Sequence, residues 1–295
     1  MSKFRGVIPA VLTPFTQTGA VDRPALSAYV DWLIGHGVHG LFPCGTNGEG
    51  PAMTVEQRQQ VLVTVLEAAR KRVPVVPMTG AISTEETIAL TRHARDAGAD
   101  GAAIVAPWYF PHDDLALERH FSAVAEAVSG FDLYLYNIPG NAKNEIKPEL
   151  FARLAARYPN IVGIKDSSKG LDKLKEFIAA APGKSVIVGT DTLLYDALEC
   201  GGAGVVSAVA DCFPEVMVSI YEAYQRGDKE AARQLQAKAA KIRDALKLGT
   251  YIHPYKLAVS WRGLAFGGMR PPLRESTPEE AAVVREALVK LGVLA

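Results

Sequence analysis

Hydrophobic residues in the first two thirds of the chain are grouped into eight short segments. Each segment is apolar throughout rather than alternating with polar positions, which is typical of strands buried on both faces of a parallel sheet. The eight segments are residues 7–11, 38–42, 75–78, 102–105, 133–136, 161–164, 186–188 and 204–206.

Helical patterns separate these segments. Thr54 with Gln57, and Ser83 with Glu86, each have the spacing of a capping box ahead of an apolar helical pattern. Gly98 follows the second pattern, at a position typical of a helix end. The sequence therefore predicts eight strand–helix units.

Eight parallel strands can close into a (β/α)₈ TIM barrel or remain an open doubly wound sheet. The number eight favours the barrel. After residue 226 the strand-like segments stop, and three helical patterns remain near 228–248, 255–265 and 278–291. We expect a catalytic barrel at residues 1–226 and a C-terminal extension of three helices at residues 227–295.

The charges of the chain balance, with 32 Lys and Arg against 32 Asp and Glu in 295 residues. A neutral chain lacks the field that attracts nucleic acids or anionic membranes, so we expect small-molecule partners.

No apolar stretch approaches eighteen residues, and residues 1–6 lack the features of a signal peptide, which indicates a cytoplasmic protein. Cys44, Cys200 and Cys212 form no Cys-x-x-Cys pair, so we expect neither a disulfide framework nor a metal site.

Polar residues at the ends of the predicted strands are candidates for chemistry, because a barrel gathers its active site at the carboxyl ends of its strands. Lys165 ends the sixth segment, where its amine would point toward the barrel mouth and could attack a ketone. A lysine merely paired with an acidic neighbour is the alternative.

Tyr136 ends the preceding segment, and neighbouring strands lie about 4.8 Å apart, so its hydroxyl could exchange protons with a substrate on Lys165. A core tyrosine is the alternative for that position.

The loop after the second segment, from Gly45 to Gly50, is rich in glycine. It lacks the lysine of a P-loop and the glycine spacing of a dinucleotide site, so nucleotide binding is not favoured. The loop can present backbone N–H groups, the Thr46 hydroxyl and the Asn47 amide to a carboxylate.

Four motifs resemble those of the dihydrodipicolinate synthase and N-acetylneuraminate lyase family of pyruvate-dependent class I aldolases. They are Gly45-Thr46-Asn47-Gly48-Glu49, Tyr136-Asn137-Ile138-Pro139, Gly163-Ile164-Lys165-Asp166 and His253-Pro254-Tyr255-Lys256. The resemblance spans nearly the whole chain, and four motifs in order are far more specific than any one of them.

The resemblance implies a barrel with a C-terminal helical extension, assembled as a homotetramer, in which Lys165 forms a Schiff base with pyruvate or the pyruvate-derived half of the substrate. It implies no metal and no organic cofactor. Tyr136 would act as acid and base, and Thr46 would link it to Tyr109 of a neighbouring subunit. Asn47 and nearby N–H groups would hold the substrate carboxylate, although the family often has Thr or Ser at this position.

The substrate end away from the imine distinguishes members of this family. Dihydrodipicolinate synthases usually carry arginine directly after the Pro-Gly of the tyrosine motif, where this chain has Asn141, and an amide does not replace the charge and fork geometry of arginine. Asp191 resembles the residue that sialic acid lyases use for sugar hydroxyls, but Thr192 replaces their glutamate. These departures favour an aldolase that cleaves or forms 2-keto-3-deoxy sugar acids from pyruvate and an aldehyde. Further substrate-binding candidates are Lys143, Gly189, Val206 and Ser207.

Other functions remain open from the sequence. A 4-hydroxy-tetrahydrodipicolinate synthase and a dehydratase of 2-keto-3-deoxy sugar acids would use the same imine. A phosphate-handling barrel isomerase would need a glycine-rich anion site after the last two strands, of which Gly189 offers only a fragment. A non-catalytic paralogue is disfavoured by the intact set of Lys165, Tyr136, Thr46 and Tyr109.

Overall fold

Six parallel strands form one sheet in the computed structural model, which describes residues 4–295. The expected absence of a signal peptide falls partly on residues 1–3, outside the described residues. The strands are β1 (Gly6–Pro9), β2 (Ala102–Val105), β3 (Leu133–Asn137), β4 (Ile161–Asp166), β5 (Ser185–Val188) and β6 (Gly204–Ser207). They lie in the order β1-β6-β5-β4-β3-β2 and nearly all of their residues are buried, as expected of strands covered on both faces.

Two extended segments between β1 and β2 close the sheet into a barrel. In the first segment, His39 and Phe42 donate backbone hydrogen bonds to the carbonyls of Val7 and Pro9, at 2.8 and 3.0 Å. The second segment joins the first on one side and β2 on the other, through the parallel bridges Leu41–Val75 and Met78–Ala103. The chain therefore has an α/β fold of the TIM-barrel type, as the hydrophobic pattern predicted.

The two closing segments form only isolated bridges, although the sequence predicted them as strands equal to the other six. The physical reason is proline, because Pro43, Pro74 and Pro77 lie in or beside these segments and cannot donate a backbone N–H to the ladder. The closing segments are still joined by backbone hydrogen bonds, such as those from Leu41 to Pro74 and from Met78 to Pro43, each at 2.9 Å.

Thirteen α-helices lie among residues 4–295. They are α1 (Arg23–Gly35), α2 (Val55–Ala69), α3 (Thr84–Asp96), α4 (Asp114–Ala127), α5 (Pro139–Ala142), α6 (Pro148–Arg157), α7 (Leu171–Ala180), α8 (Leu194–Glu199), α9 (Val209–Cys212), α10 (Pro214–Gln225), α11 (Lys229–Leu246), α12 (His253–Trp261) and α13 (Pro278–Lys290). The short helices α5 and α9 follow the carboxyl ends of β3 and β6. None of the helices within the described range is long and apolar enough to cross a bilayer.

Side-chain caps define where several helices begin. Thr54 and Gln57 form the predicted capping box of α2. Ser83 accepts a hydrogen bond from the Glu86 N–H at the start of α3, without the reciprocal bond that a capping box requires. The last three helices follow the final strand, with α11 packed on α10 and α13 packed against α11 and α12.

Candidate active site

Lys165 and Tyr136 are paired residues on the neighbouring strands β4 and β3, as the sequence predicted. The Lys165 side chain is 5% exposed, and its Nζ lies 3.9 Å from the centroid of the Tyr136 ring and 4.2 Å from that of Phe42. No salt bridge joins Lys165 to an acidic side chain within residues 4–295, so the alternative of a merely paired lysine is not supported. The structure leaves the amine between two aromatic faces.

Thr46 lies next to this pair. Its Oγ1 is 3.5 Å from the Tyr136 hydroxyl, a long contact that a bound substrate can shorten, since catalytic hydrogen bonds are often loose without a ligand. Lys165, Tyr136 and Thr46 are therefore brought together in one chain.

The shape of the glycine-rich loop depends on left-handed backbone angles and on two glycines that no larger residue could replace. Cys44 and Glu49 adopt left-handed backbone angles, with φ of 61° and 58°. A Cβ on Gly50 would lie 1.8 Å from the Cys44 carbonyl oxygen, and one on Gly48 would lie 2.6 Å from the Val11 carbonyl oxygen. Only glycine fits at these two positions, and the resulting turn presents Thr46 to Tyr136.

A buried ion pair fastens the same loop to the C-terminal part of the chain. Glu49 Oε1 lies 2.5 Å from Lys256 Nζ in α12, and Oε2 accepts the Arg270 N–H at 2.8 Å. Lys256 Nζ also donates to the Gly268 carbonyl at 2.8 Å. Burial lowers the pKa of Lys256, and the Glu49 carboxylate opposes that shift. We call this pair the Glu49–Lys256 clamp; the sequence singled out both motifs but did not predict their contact.

Asn47 contacts an acidic residue that sequence reasoning missed. Its Nδ2 donates to Asp211 Oδ2 at 3.1 Å, and Asp211 lies fully buried in α9, just beyond β6. Burial raises the pKa of Asp211 well above its usual value, while the Asn47 hydrogen bond opposes that shift. The available signal was an acid in an apolar segment at the end of the eighth predicted strand.

Asp191 and Ser207 are hydrogen-bonded to each other. The Ser207 hydroxyl donates to Asp191 Oδ1 at 2.6 Å, and the Val209 N–H donates to the same oxygen at 3.1 Å. The second oxygen, Oδ2, lies 3.4 Å from Arg243 Nε. Both carboxylate oxygens of Asp191 thus have protein partners, in a network that organises the carboxyl ends of the last two strands.

Gly189 leaves room for the Lys165 side chain. A Cβ at this position would lie 3.2 Å from Lys165 Cε and 1.9 Å from Ser167 Oγ. The neighbouring candidate Thr192 is half-buried in the 3₁₀ turn Asp191–Leu193, and Val206 is buried in β6. Gly189 is therefore the member of this group whose position bears directly on the lysine.

The candidates Asn141 and Lys143 are exposed at α5, on the rim beyond β3. Asn141 Nδ2 lies 3.5 Å from the Tyr251 hydroxyl, and Lys143 Nζ donates to the Gly140 carbonyl at 3.0 Å. Both side chains remain accessible to a ligand.

Tyr109 is the one predicted catalytic residue that the chain does not bring to the site. Its side chain is 79% exposed, its φ is 81°, and its ring packs edge-on against Phe110. Its hydroxyl makes no hydrogen bond to Thr46 within this chain. A contact of Tyr109 with the site of another subunit is compatible with this geometry and remains a prediction.

A cavity of about 190 Å³ adjoins Thr46 and Tyr136, and Asn141 lies in its wall. A larger groove of about 1130 Å³ runs between residues 15–22 and 260–275 and contains none of the predicted site residues. The predicted site residues therefore favour the smaller cavity as the candidate substrate site. Within residues 4–295 no cluster of three or more His, Cys, Asp or Glu residues could hold a metal ion.

The chain is similar to known proteins along nearly its whole length. The sequence model of the Dihydrodipicolinate synthetase family matches residues 3–291. The chain belongs to this family. The predicted resemblance to this family is therefore confirmed, and the protein is an enzyme of the lyase class.

Individual members of the dihydrodipicolinate synthetase family match along nearly their whole length. An uncharacterized DapA-like lyase of Halobacterium salinarum is 39% identical over 98% of this chain and 94% of its own. The 4-hydroxy-tetrahydrodipicolinate synthase of Thermus thermophilus is 38% identical over 99% of this chain and 97% of its own. The crystal structure of YagE, a prophage protein from E. coli K12 in complex with pyruvate, has a TM-score of 0.96 and 32% identity, covering 99% of this chain and 100% of that one.

Proposed function

We propose that this protein is a pyruvate-dependent aldolase in which Lys165 forms a Schiff base with a 2-oxo acid. The observation that carries the proposal is the position of Lys165: it is almost fully buried, free of any salt bridge in the described residues, and flanked by the Tyr136 and Phe42 rings. The pyruvate bound by YagE supports the same ligand class.

The chemistry follows from the imine. The Lys165 nitrogen adds to the ketone carbon, water leaves, and the protonated imine withdraws electrons from the bond between the α-carbon and the carbinol carbon, one bond beyond the imine carbon. When that bond breaks, its electron pair forms an enamine and the carbinol becomes an aldehyde. Tyr136 accepts the carbinol proton and returns it in the condensation direction, with Thr46 beside it. Tyr109 of a neighbouring subunit completes the relay.

The substrate carboxylate is held by the glycine-rich loop. Asn47 and the loop N–H groups supply donors, and no metal or organic cofactor takes part in the proposed reaction. The enzyme works as a homotetramer in the cytoplasm, with its catalytic barrel in residues 1–226 and a helical extension in residues 227–295. These assignments rest on the sequence pattern and on the family.

The aldehyde partner that the sequence favours is the one released from a 2-keto-3-deoxy sugar acid. Asn141, Lys143 and Thr192 are accessible for sugar hydroxyls. Asp191 and Ser207 already bond each other, so they contribute by positioning rather than by free oxygens. The amide of Asn141 continues to disfavour the synthase reaction that needs an arginine there.

Incubating the enzyme with individual sugar acids and assaying both pyruvate and aldehyde separates the aldolase from the dehydratase, which releases no pyruvate.

Borohydride trapping with pyruvate tests the proposed mechanism directly. We expect a pyruvate-derived mass increase that peptide mapping assigns to Lys165, and no increase in the Lys165→Ala variant. Lys184→Met is the matched control, because Lys184 donates to the Ile161 carbonyl at the opposite end of β4, and it should be trapped like the wild type. The absence of an adduct on any lysine of folded protein contradicts the Schiff-base mechanism.

A further inference from the structure

Asp211 is a fully buried acid that the proposed mechanism leaves without a role. Its Oδ2 accepts from Asn47 Nδ2 at 3.1 Å, whereas its Oδ1 has no hydrogen-bond partner within residues 4–295. The backbone carbonyl of Asp211 accepts the Tyr29 hydroxyl at 2.6 Å, which fixes α9 against α1. A buried carboxylate with one unbonded oxygen is costly, so its position beside a substrate-binding residue calls for an explanation.

The surroundings of Asp211 favour its neutral form. Burial is the main cause of its raised pKa, and the nearby carboxylate of Asp191 adds to it. The Asn47 amide, Lys165 and the backbone of Ala10 act in the opposite direction and lower the pKa of Asp211. The titratable and charged groups that face Asp211 from the surrounding elements are Tyr29, Lys165, Asp191, Cys212 and Tyr255, and Arg243 lies behind Asp191.

We propose that Asp211 is a positioning residue for the 2-oxo acid, which fixes the Asn47 amide so that its second N–H is directed to the substrate carboxylate. This inference rests on the proposed function and specifies how that site reads its anionic end. One hydrogen of Asn47 Nδ2 is used by Asp211 Oδ2, and the other hydrogen is left for the ligand.

The protonation state of Asp211 decides whether this arrangement works. In the neutral acid, Oδ2 accepts from the amide and the proton resides on Oδ1, the oxygen without a partner. An ionised Asp211 would place a negative charge behind Asn47. This charge would repel the carboxylate of the incoming substrate, because little solvent lies at the site to screen the two carboxylates from each other. The affinity for a 2-oxo acid should therefore fall as the pH rises through the pKa of Asp211.

The test is the pH dependence of the KM for pyruvate in the wild type and in Asp211→Asn. The asparagine can still accept from Asn47 but cannot ionise. We expect the wild-type KM to rise about 10-fold or more toward alkaline pH, whereas the KM of Asp211→Asn stays flat relative to it and kcat changes little. Asp132→Asn is the matched control, because burial also raises the pKa of Asp132 but this residue precedes β3, at the opposite end of the barrel. It should keep the wild-type profile.

A second variant makes the test independent of how well Asp211→Asn folds. Asn47→Ala deletes the amide and leaves Asp211 in place, so it should raise the KM and flatten the same pH dependence. The inference is overturned if either variant retains the wild-type pH profile of KM. That outcome is distinct from failure of the proposed function, which would show as the absence of a trapped adduct on wild-type Lys165.

Discussion

The two aromatic rings around Lys165 Nζ would act on the product of the proposed imine formation as well as on the free amine. A cation 3.9 Å from one ring centroid and 4.2 Å from another is stabilised by the negative faces of both. A protonated imine keeps a positive charge on the same nitrogen, so Tyr136 and Phe42 would favour the electron-withdrawing form of the intermediate. In the proposed mechanism, Tyr136 thus contributes its ring to Lys165 and its hydroxyl to the substrate.

Replacing Tyr136 by phenylalanine separates these two contributions. We expect Tyr136→Phe to be trapped by borohydride on Lys165 as in the wild type, because the ring remains. Its kcat should fall by about 10²–10⁴, the range that one positioned acid–base group supplies. Steady-state kinetics with the cleaved sugar acid, combined with intact mass, measure both quantities.

Tyr158→Phe is the matched control for this experiment. The Tyr158 hydroxyl donates to Glu126 at 2.6 Å. Tyr158 precedes the first residue of β4 and therefore lies away from the carboxyl ends of the strands. It should leave kcat unchanged. A Tyr136→Phe enzyme with wild-type turnover would show that another group moves the proton.

At the scale of elements, the Glu49–Lys256 clamp holds the glycine-rich loop against α12. Both side chains are essentially unexposed, so each charge depends on the other for compensation. Removing one member of such a pair is far more damaging than removing one member of an exposed pair.

We expect Lys256→Met to lower the free energy of unfolding by about 3–5 kcal/mol, because Glu49 would be left buried without its partner cation. Lys290→Met is the control, since the Lys290–Glu286 pair in α13 is exposed and should contribute less than about 1 kcal/mol. Urea unfolding followed by circular dichroism measures both. Equal small losses for the two variants would show that Glu49 finds another partner.

The sequence predicted the barrel because every strand is buried on both faces and therefore reads as an unbroken apolar segment. The same reasoning placed Lys165 beside Tyr136, since strand ends in a parallel sheet meet at one edge. It could not predict the Asn47–Asp211 contact, whose partners are 164 positions apart and follow different strands. The prolines of the two closing segments are visible in the sequence, but the apolar pattern alone did not predict that they would reduce these segments to isolated bridges.

At the scale of the whole molecule, exposed hydrophobic side chains lie close to Tyr109 in the sequence. Tyr109 is 79% exposed, and Phe110 and Leu115 are each 56% exposed. Large apolar side chains grouped on a surface are typical of a protein–protein interface. The location of this group supports the proposal that Tyr109 completes the site of a neighbouring subunit.

Mixed oligomers test this arrangement. Tyr109→Phe and Lys165→Ala should each be nearly inactive alone, whereas co-refolded mixtures should recover activity, because some sites then combine an intact Lys165 with an intact Tyr109. Light scattering should show that both variants keep the wild-type oligomeric state. A mixture no more active than its components would exclude a site shared between subunits.

The hydrogen bond from Arg270 to Glu49 spans 221 positions of the chain. During synthesis on the ribosome, the glycine-rich loop emerges long before α12, and a domain generally folds as a unit. The charge of Glu49 is not compensated until α12 and the following segment have been made. A nascent barrel that lacks them therefore holds an uncompensated acid next to Thr46. The geometry beside Thr46 is therefore completed only once the segment that contains Arg270, 221 positions after Glu49, has been made.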